Sequence, residues 1–511
     1  MTTRRVYKLC RAAPAYRLAH IYAIALVEPY SAVNTETVYH STMKNARPIS
    51  MICTNIYVSI AFVLAVSFVA APTLPANAQS VTDMAILKGL SPVTVLSSTS
   101  EGRAALGANY AVTGGIQTGV IRQPILLSFA EQQQQSLRDA FITNGNLAEL
   151  ADGLGTTLGD AYVARAHYID RDHFTSVSQT IAELIAYASS TSAAHSRAGK
   201  YFFANATTDG KNPVSAVARA IVPTSGSEDA FGRAYNLPAG SAKGNRYGNP
   251  RPFQTEPSVT RIVGRDYFGT PTDNAVYNRG PMMNLTNSPS FPSGHTVYGY
   301  TGSVLLAVLV PERYQQMVAR GAEYGNDRIL MGAHYAMDVM GGRTLALYDM
   351  AHLLANDPAY VGQPLKDAPA IGDFQAAVKA ARVAISAALQ EACGNTVEVC
   401  AEEDTGRFSD PAADEAFYAD TQTYGLPVTY PENASGLEDV HNLAPEAGYL
   451  LTIAYPSLTL RQADDILTET EGPGGGFLDD GSSFGVYSRF NLYAAAGRAA
   501  QLNDSLRNRR R

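Results

Sequence analysis

The segment from Ser290 to Val310 constrains the fold of this chain more than any other, because a short polar motif leads directly into an apolar run. The motif is SFPSGHTVY and the run that follows is GYTGSVLLAVLV. A run of this length, ended by Pro311, predicts a buried helix over residues 296–310. The fold must therefore enclose this helix.

The start of the predicted helix also carries residues suited to binding an anion. Ser293 has the chemistry of an N-cap, and Gly294 lets a ligand approach backbone N–H groups that have no partner within the helix. His295 follows, with a side chain that can give or take a proton near neutral pH. The helix start therefore predicts an anion site with an acid–base group beside it.

Helical spacing of apolar residues recurs along the rest of the chain. Residues 126–200 read as mostly helical, and further helices are predicted over 312–324, from about His334 and over 374–392. The Gly-, Pro- and Asn-rich residues between 205 and 290 predict functional loops. We expect residues 401–511 to form an acidic, turn-rich extension that packs on the helical core.

The N-terminal region contains the pattern of a targeting signal. Basic residues precede an apolar stretch over residues 56–71, and a small-residue exit follows at residues 76–78. This pattern is typical of a secretory signal peptide, here residues 43–78, so residues 1–42 are expected to be a misassigned upstream start. A membrane anchor is the alternative, but the apolar run is short and its Pro-rich exit favours cleavage. We expect a periplasmic or secreted protein without stable membrane insertion.

Two cysteines remain after the predicted cleavage, Cys393 and Cys400, with six residues between them. In an exported protein this spacing predicts one small disulfide-closed loop. A catalytic thiol is less consistent with the sequence, because neither cysteine has a nearby histidine to activate it. A metal site would need further ligands close by.

Three separated segments offer side chains for an oxyanion. They are Arg251 with Pro252, then Pro292 to His295, and finally Arg328 with His334 and Asp338. The spacing of four predicts that His334 and Asp338 share a helix face, where the carboxylate holds one ring nitrogen protonated and leaves the other as a nucleophile. Gly332 permits a turn that brings Arg328 toward the same pocket. Together the segments predict a site for a tetrahedral oxyanion.

These segments resemble those of the type 2 phosphatidic acid phosphatase (PAP2) superfamily, and within it the bacterial class A-like non-specific acid phosphatases. The family segments are Lys-x6-Arg-Pro, Pro-Ser-Gly-His and Ser-Arg-x5-His-x3-Asp. The second matches without change, and the third matches with Asp327 in place of the serine. In the first, Gly244 occupies the lysine position. Either a one-residue bulge brings Lys243 into place or Arg246 substitutes for it.

The resemblance implies an all-α helical bundle like those of PAP2 acid phosphatases and vanadium haloperoxidases. The domain would cover residues 79–400, with the motif core at 240–345. It implies that His334 attacks phosphorus to form a phosphohistidine, that Asp338 orients it, and that His295 is the general acid and then the base. The implied phosphate contacts are Lys243, Arg251, Ser293, Gly294 and Arg328. It implies no metal or other cofactor, with vanadate as an inhibitor.

The resulting prediction is a secreted acid phosphatase acting on small-molecule phosphate monoesters. The formal net charge of −7 argues against nucleic acid as a partner. Two alternatives stay open: a vanadium-dependent haloperoxidase that holds vanadate as cofactor in the same pocket, and a non-catalytic phosphate-binding relative. The remaining histidines of the mature chain show no comparable partners in the sequence and are interpreted as structural: His167, His173, His195, His352 and His441.

Overall fold

A computed structural model gives the fold of most of the predicted mature chain. It describes residues 80–121, 126–141, 145–222, 228–241, 245–256 and 259–510. The predicted signal peptide, the segment before it and Lys243 lie outside these residues.

Within the described residues the secondary structure is almost entirely helical. The α-helices are α1 Val81–Leu90, α2 Ser100–Thr118, α3 Phe129–Asp139, α4 Thr156–Val163, α5 Gln179–Asn205, α6 Ala216–Arg219, α7 Ala230–Ala234, α8 Pro252–Thr255, α9 Asn274–Asn278, α10 Gly294–Leu309, α11 Tyr314–Leu330, α12 Ala336–Leu354, α13 Phe374–Cys393, α14 Val397–Glu402, α15 Pro411–Thr423, α16 Val440–Leu443, α17 Tyr449–Thr452, α18 Leu460–Glu469 and α19 Leu492–Arg510. Short 3₁₀ helices cover Ser91–Val95, Ala148–Leu154, Pro311–Arg313, Pro431–Asn433 and Gly485–Arg489. Strands β1 Val263–Arg265 and β2 Pro271–Asp273 form one antiparallel hairpin, with Val263 opposite Asp273. The predicted all-α fold is confirmed.

Helix α10 lies at the centre of the bundle. Its residues 296–309 are all buried, and it packs against α5, α11 and α12. The helix begins at Gly294, two residues before the predicted start, because Ser293 caps it. Side chains from all three neighbouring helices can therefore converge on the N-terminus of α10.

Helix α11 extends further than the sequence pattern predicts. It was expected over residues 312–324 and runs to Leu330. The helix is buried although it is polar, because its charged residues form an internal ion-pair cluster. Arg320 is fully buried and donates to both carboxylate oxygens of Asp139 at 2.7 Å and to Asp152 at 2.7 Å. Buried charges of this kind are tolerated because they are paired and hydrogen-bonded.

The described part of the C-terminal segment, residues 401–510, packs against α11 and α12. Helices α15 and α19 contact α11. The Arg343 guanidinium of α12 donates to the carbonyl of Ser488 at 2.6 Å, and the hydroxyl of Tyr314 in α11 donates to the carbonyl of Leu450 at 2.8 Å. These contacts tie the segment to the two helices that flank α10.

A disulfide joins Cys393, the last residue of α13, to Cys400 in α14. Of the helices in the described residues, none is both long enough and apolar enough to span a bilayer.

Candidate active site

His334 lies in the turn between α11 and α12, not on a helix. The prediction that His334 and Asp338 share a helix face was therefore wrong, because α12 begins at Ala336. Asp338 caps this helix by accepting the N–H of Tyr335 on Oδ2 at 2.8 Å, and the same oxygen lies 3.4 Å from His334 Nδ1. The histidine–carboxylate contact is thus made through a helix cap.

A tight turn carries His334 across the end of α11. Gly332 adopts a left-handed backbone conformation with φ 71°, which favours glycine. The carbonyl of Arg328 accepts the N–H groups of Ala333 at 3.1 Å and His334 at 3.2 Å. A Cβ on Gly332 would also lie only 2.6 Å from Val259 Cγ1. Glycine is therefore needed where the turn places the histidine.

The contacts of Arg251 define the tautomer of His334. Its Nη1 lies 3.0 Å from His334 Nε2, and a guanidinium has donors only. Nε2 therefore accepts, so the neutral ring carries its hydrogen on Nδ1, which lies 3.3 Å from Ser290 Oγ and 3.4 Å from Asp338 Oδ2. Nε2 holds the lone pair that a nucleophile requires.

Asp338 is fully buried and held by hydrogen-bond donors. Besides the Tyr335 N–H, the hydroxyl of Ser290 donates to Oδ2 at 2.5 Å. Burial raises the pKa of Asp338 to about 6, although these hydrogen bonds and the charge of Arg251 act to lower it. The sequence motif indicates no role for Ser290, and the structure places its hydroxyl on the carboxylate.

The start of α10 lies beside His334, and the side chains around the two histidines are called the pocket below. Ser293 is the N-cap, its Oγ accepting the Thr296 N–H at 3.2 Å, and its own N–H donates to the carbonyl of Asp338 at 3.0 Å. The ring of His295 is half-buried, with its centroid 5.8 Å from that of His334. With Arg251 on His334 Nε2, the structure thereby brings all three motifs together around the two histidines.

Positive charges dominate the electrostatics of this pocket. Burial lowers the pKa of His295 well below its ordinary value, and the positive side chains that lower it further are Arg328, Arg251, Lys200 and Arg171. Burial likewise lowers the pKa of His334 well below its ordinary value, and the positive charges of Arg251 and Lys200 lower it further. Both rings are therefore neutral at neutral pH, in surroundings that favour a bound anion.

Arg328 projects from α11 with donors to spare. Its Nη2 lies 3.3 Å from the carbonyl of Ser136 and its Nη1 3.5 Å from the carbonyl of Asp139, and within the described residues its Nε has no partner. The preceding Asp327, which replaces the family serine, is buried near Asp139 and Glu323. Burial and these carboxylates raise the pKa of Asp327 well above its ordinary value.

The cation of the first motif is the least defined part of the predicted site. Lys243 lies outside the described residues. Arg246 is exposed, with its guanidinium carbon 5.3 Å from the centroid of the Tyr247 ring, and is not among the buried cations. Sequence reasoning missed Lys200 in α5, whose Nζ donates to the carbonyl of Pro289 at 3.1 Å. A single lysine at the end of a long helical pattern gave no signal of this position.

Several of the other histidines do have carboxylate partners, contrary to the sequence interpretation. The Nδ1-to-carboxylate distances are 2.8 Å for His195 and Asp349, 2.7 Å for His352 and Asp357, and 3.0 Å for His441 and Asp464. A histidine–aspartate contact alone therefore does not distinguish an active site in this chain. The surrounding cations distinguish His334.

Comparison with known proteins finds a match for the part of the chain that contains these residues. Residues 239–355 match the model of the PAP2 superfamily. This segment belongs to that superfamily. It contains His295, His334, Asp338, Arg251 and Arg328. The resemblance inferred from the motifs is confirmed.

Three similar proteins carry phosphatase names. A non-specific acid phosphatase of Salmonella typhimurium is 41% identical over 69 residues, which are 14% of this chain and 28% of that protein. An acid phosphatase of Zymomonas mobilis is 34% identical over 82 residues, 16% of this chain and 31% of that protein. A non-specific acid phosphatase of Providencia stuartii is 33% identical over 82 residues, 16% of this chain and 33% of that protein. The matched region thus spans a third or less of each relative.

Proposed function

We propose that this protein is an exported acid phosphatase that hydrolyses small-molecule phosphate monoesters through a phosphohistidine on His334. The observation that carries the proposal is the orientation of His334, whose Nε2 lone pair faces Arg251 while Nδ1 faces Asp338. The similarity to proteins named acid phosphatase supports it.

The phosphoryl oxygens would be bound by donors that the protein holds in place. We assign this role to the guanidiniums of Arg251 and Arg328, to Ser293 and to the backbone N–H of Gly294, with Lys243 as the expected contact from the first motif. Phosphoryl transfer depends mainly on positioning and on stabilising the charge of the transferred group. Here fixed cations supply the positive charge that stabilises the transferred group, and we propose that no metal is required.

The reaction would proceed in two displacements. In the first, His334 Nε2 bonds to phosphorus, the bond from phosphorus to the ester oxygen breaks, and His295 gives a proton to the departing oxygen. In the second, His295 takes a proton from water, the water oxygen bonds to phosphorus, and the bond from phosphorus to Nε2 breaks. Phosphate and both histidines in their starting states result.

The lowered pKa of His334 is consistent with activity in mildly acidic solution, and the pKa of Asp338, about 6, limits activity at lower pH because the carboxyl then takes up a proton. A nucleophile must be unprotonated, and the lowered pKa of His334 keeps it neutral in mildly acidic solution. His295 must be protonated in the complex. A bound phosphate monoester offsets the surrounding positive charges and raises the pKa of His295 relative to the free protein. Turnover should therefore fall as pH rises through that pKa.

Labelling and turnover together test the proposal. His334→Ala should abolish hydrolysis of an aryl phosphate and labelling by a ³²P-monoester. His295→Ala should still be labelled when the leaving group needs no proton. His173→Ala, at an exposed histidine, is the matched control. Equal loss of labelling in both active-site variants would refute the assigned roles, and halide oxidation with vanadate and peroxide in place of hydrolysis would establish the haloperoxidase alternative.

The absence of a metal requirement and the export have their own tests. Activity should survive a strong chelator, and vanadate should inhibit competitively, because it adopts five-coordinate geometry like that of the transferred phosphoryl group. Loss of activity on chelation with recovery on added zinc or magnesium would contradict the metal-free mechanism.

The expected export is tested by the N-terminus of the protein. Protein recovered from the periplasm or medium should begin at Gln79, whereas an intact apolar segment would refute cleavage.

A further inference from the structure

One face of α5, outside the matched PAP2 segment, points at the start of α10. Ser196 and Lys200 lie one helical turn apart on this face. A Cβ on Gly294 would lie 3.2 Å from Ser196 Oγ and 3.4 Å from Lys200 Cε. Both side chains therefore reach the helix terminus at which an anion is expected to bind.

The hydroxyl of Ser196 is buried, and within the described residues it has no hydrogen-bond partner. The preceding hydroxyls of α5 behave differently, because Thr191 and Ser192 each donate to the carbonyl four residues earlier, at 3.0 and 3.1 Å. A buried hydroxyl without a partner is costly. Ser196 therefore has a donor available on the pocket side of the helix.

Lys200 converges with Arg251 on a single oxygen. Lys200 Nζ donates to the carbonyl of Pro289 at 3.1 Å, and Arg251 Nη2 donates to the same carbonyl at 3.0 Å. Among the described residues no carboxylate forms an ion pair with Lys200. Two cations that share a neutral acceptor keep their charge available for a third group. An anion that touches both would relieve their repulsion.

We propose that Lys200 and Ser196 bind the transferred phosphoryl group, with the Lys200 ammonium at an equatorial oxygen beside Arg251 and the Ser196 hydroxyl donating to the same oxyanion. Lys200 thereby adds a cation from a helix that lies outside the three sequence motifs. This assignment rests on the proposed phosphatase function for its catalytic consequence. Its binding consequence concerns any tetrahedral oxyanion.

The test compares Lys200→Met and Ser196→Ala with Lys211→Met, which alters an exposed lysine in the loop after α5. Inorganic phosphate binding is measured by titration calorimetry, and kcat/KM is measured with an aryl phosphate. Lys200→Met should lose about a hundredfold in kcat/KM, as for deletion of an oxyanion donor, with weakened phosphate binding. Ser196→Ala should lose about tenfold. Lys211→Met should match wild type in both measurements.

Two further variants keep the outcome decisive. Lys200→Arg retains the charge and should bind phosphate more tightly than Lys200→Met, which also covers the case in which the methionine variant does not fold. The proposal would be overturned by a folded Lys200→Met variant whose phosphate affinity and turnover stay within threefold of wild type. A large loss confined to Lys243→Met would do the same. If wild type hydrolyses no monoester, the proposed function fails, and the phosphate titration still decides the role of Lys200.

Discussion

Replacing Asp338 with asparagine should keep or raise the stability of the protein at pH 7 and lower its activity. The carboxylate Oδ2 receives the hydroxyl of Ser290 at 2.5 Å and the N–H of Tyr335 at 2.8 Å. Because two donors point at this position, the asparagine oxygen should occupy it and still face His334 Nδ1. The substitution then removes the negative charge, keeps the two hydrogen bonds to the Oδ2 position, and places the amide nitrogen where Oδ1 has no partner within the described residues.

The effect on stability follows from the raised pKa of Asp338. Burial raises this pKa from 3.8 to about 6, which corresponds to about 3 kcal/mol against the charged form. The unfolded chain releases this proton near pH 4 and the folded protein near pH 6, so the folded protein loses stability as pH rises between the two. Asp338→Asn should remove this loss and be at least as stable as wild type at pH 7.

The effect on activity is a loss of charge stabilisation beside His334. The ring becomes positively charged when it bonds to phosphorus, and Oδ2 lies 3.4 Å from its Nδ1. Two unit charges about 4 Å apart interact by about 4 kcal/mol at the effective dielectric of a protein site. This corresponds to about a thousandfold in kcat.

Urea unfolding between pH 4 and pH 7, together with kcat for an aryl phosphate, tests both effects. Asp464→Asn is the matched control, because burial also raises the pKa of Asp464 to about 6 and its partner is His441, outside the pocket. That control should change the pH dependence of stability and leave kcat within threefold. A folded Asp338→Asn protein that keeps more than a tenth of kcat would refute the reasoning, as would one less stable than wild type at pH 7.

Three further substitutions test other parts of the structure. Arg171→Gln removes one of the positive charges that lower the pKa of His295, so the alkaline limb of the kcat profile should move to higher pH; an unchanged or lower limb would contradict this. Gly332→Ala forces a side chain into a left-handed conformation and should cost about 1–3 kcal/mol in urea unfolding, whereas wild-type stability would show that the turn relaxes. Arg320→Met leaves the buried carboxylate of Asp139 without its bidentate partner and should cost about 3–5 kcal/mol, whereas a loss below 1 kcal/mol would mean that the carboxylate takes up a proton.

Much of the fold could be predicted because apolar residues dominate most of the buried helices. The pattern at residues 374–392 predicted α13 to within one residue of its observed end at Cys393. For α11 the predicted range, 312–324, stopped short of the observed end at Leu330, and the burial of Arg320 and Glu323 with their partners was not predicted. A pattern of apolar residues cannot reveal that a helix is buried through ion pairs, because its polar residues look like a solvent-facing surface.

The candidate site was predictable where its residues are adjacent in sequence, and less so where they converge through the fold. The Pro-Ser-Gly-His motif and the pairing of His334 with Asp338 could be inferred from spacing. The cap geometry that makes this contact could not, since it depends on the turn at Gly332. Lys200 comes from a helix that ends almost 90 residues before the Ser293 cap. Its position depends on how α5 packs against α10.

The way in which the structure holds its buried cations explains why the pocket suits an anion. Arg320 is surrounded by carboxylates, so its charge is neutralised within the protein. The pocket cations are held mainly by backbone carbonyls: Arg251 by those of Ser288, Pro289 and Ala333, Lys200 by that of Pro289, and Arg328 by those of Ser136 and Asp139. A carbonyl fixes a cation in place without cancelling its charge. The same residue types therefore stabilise the core in one place and remain available to a phosphoryl group in the other, and the difference lies in the oxygen that each one contacts.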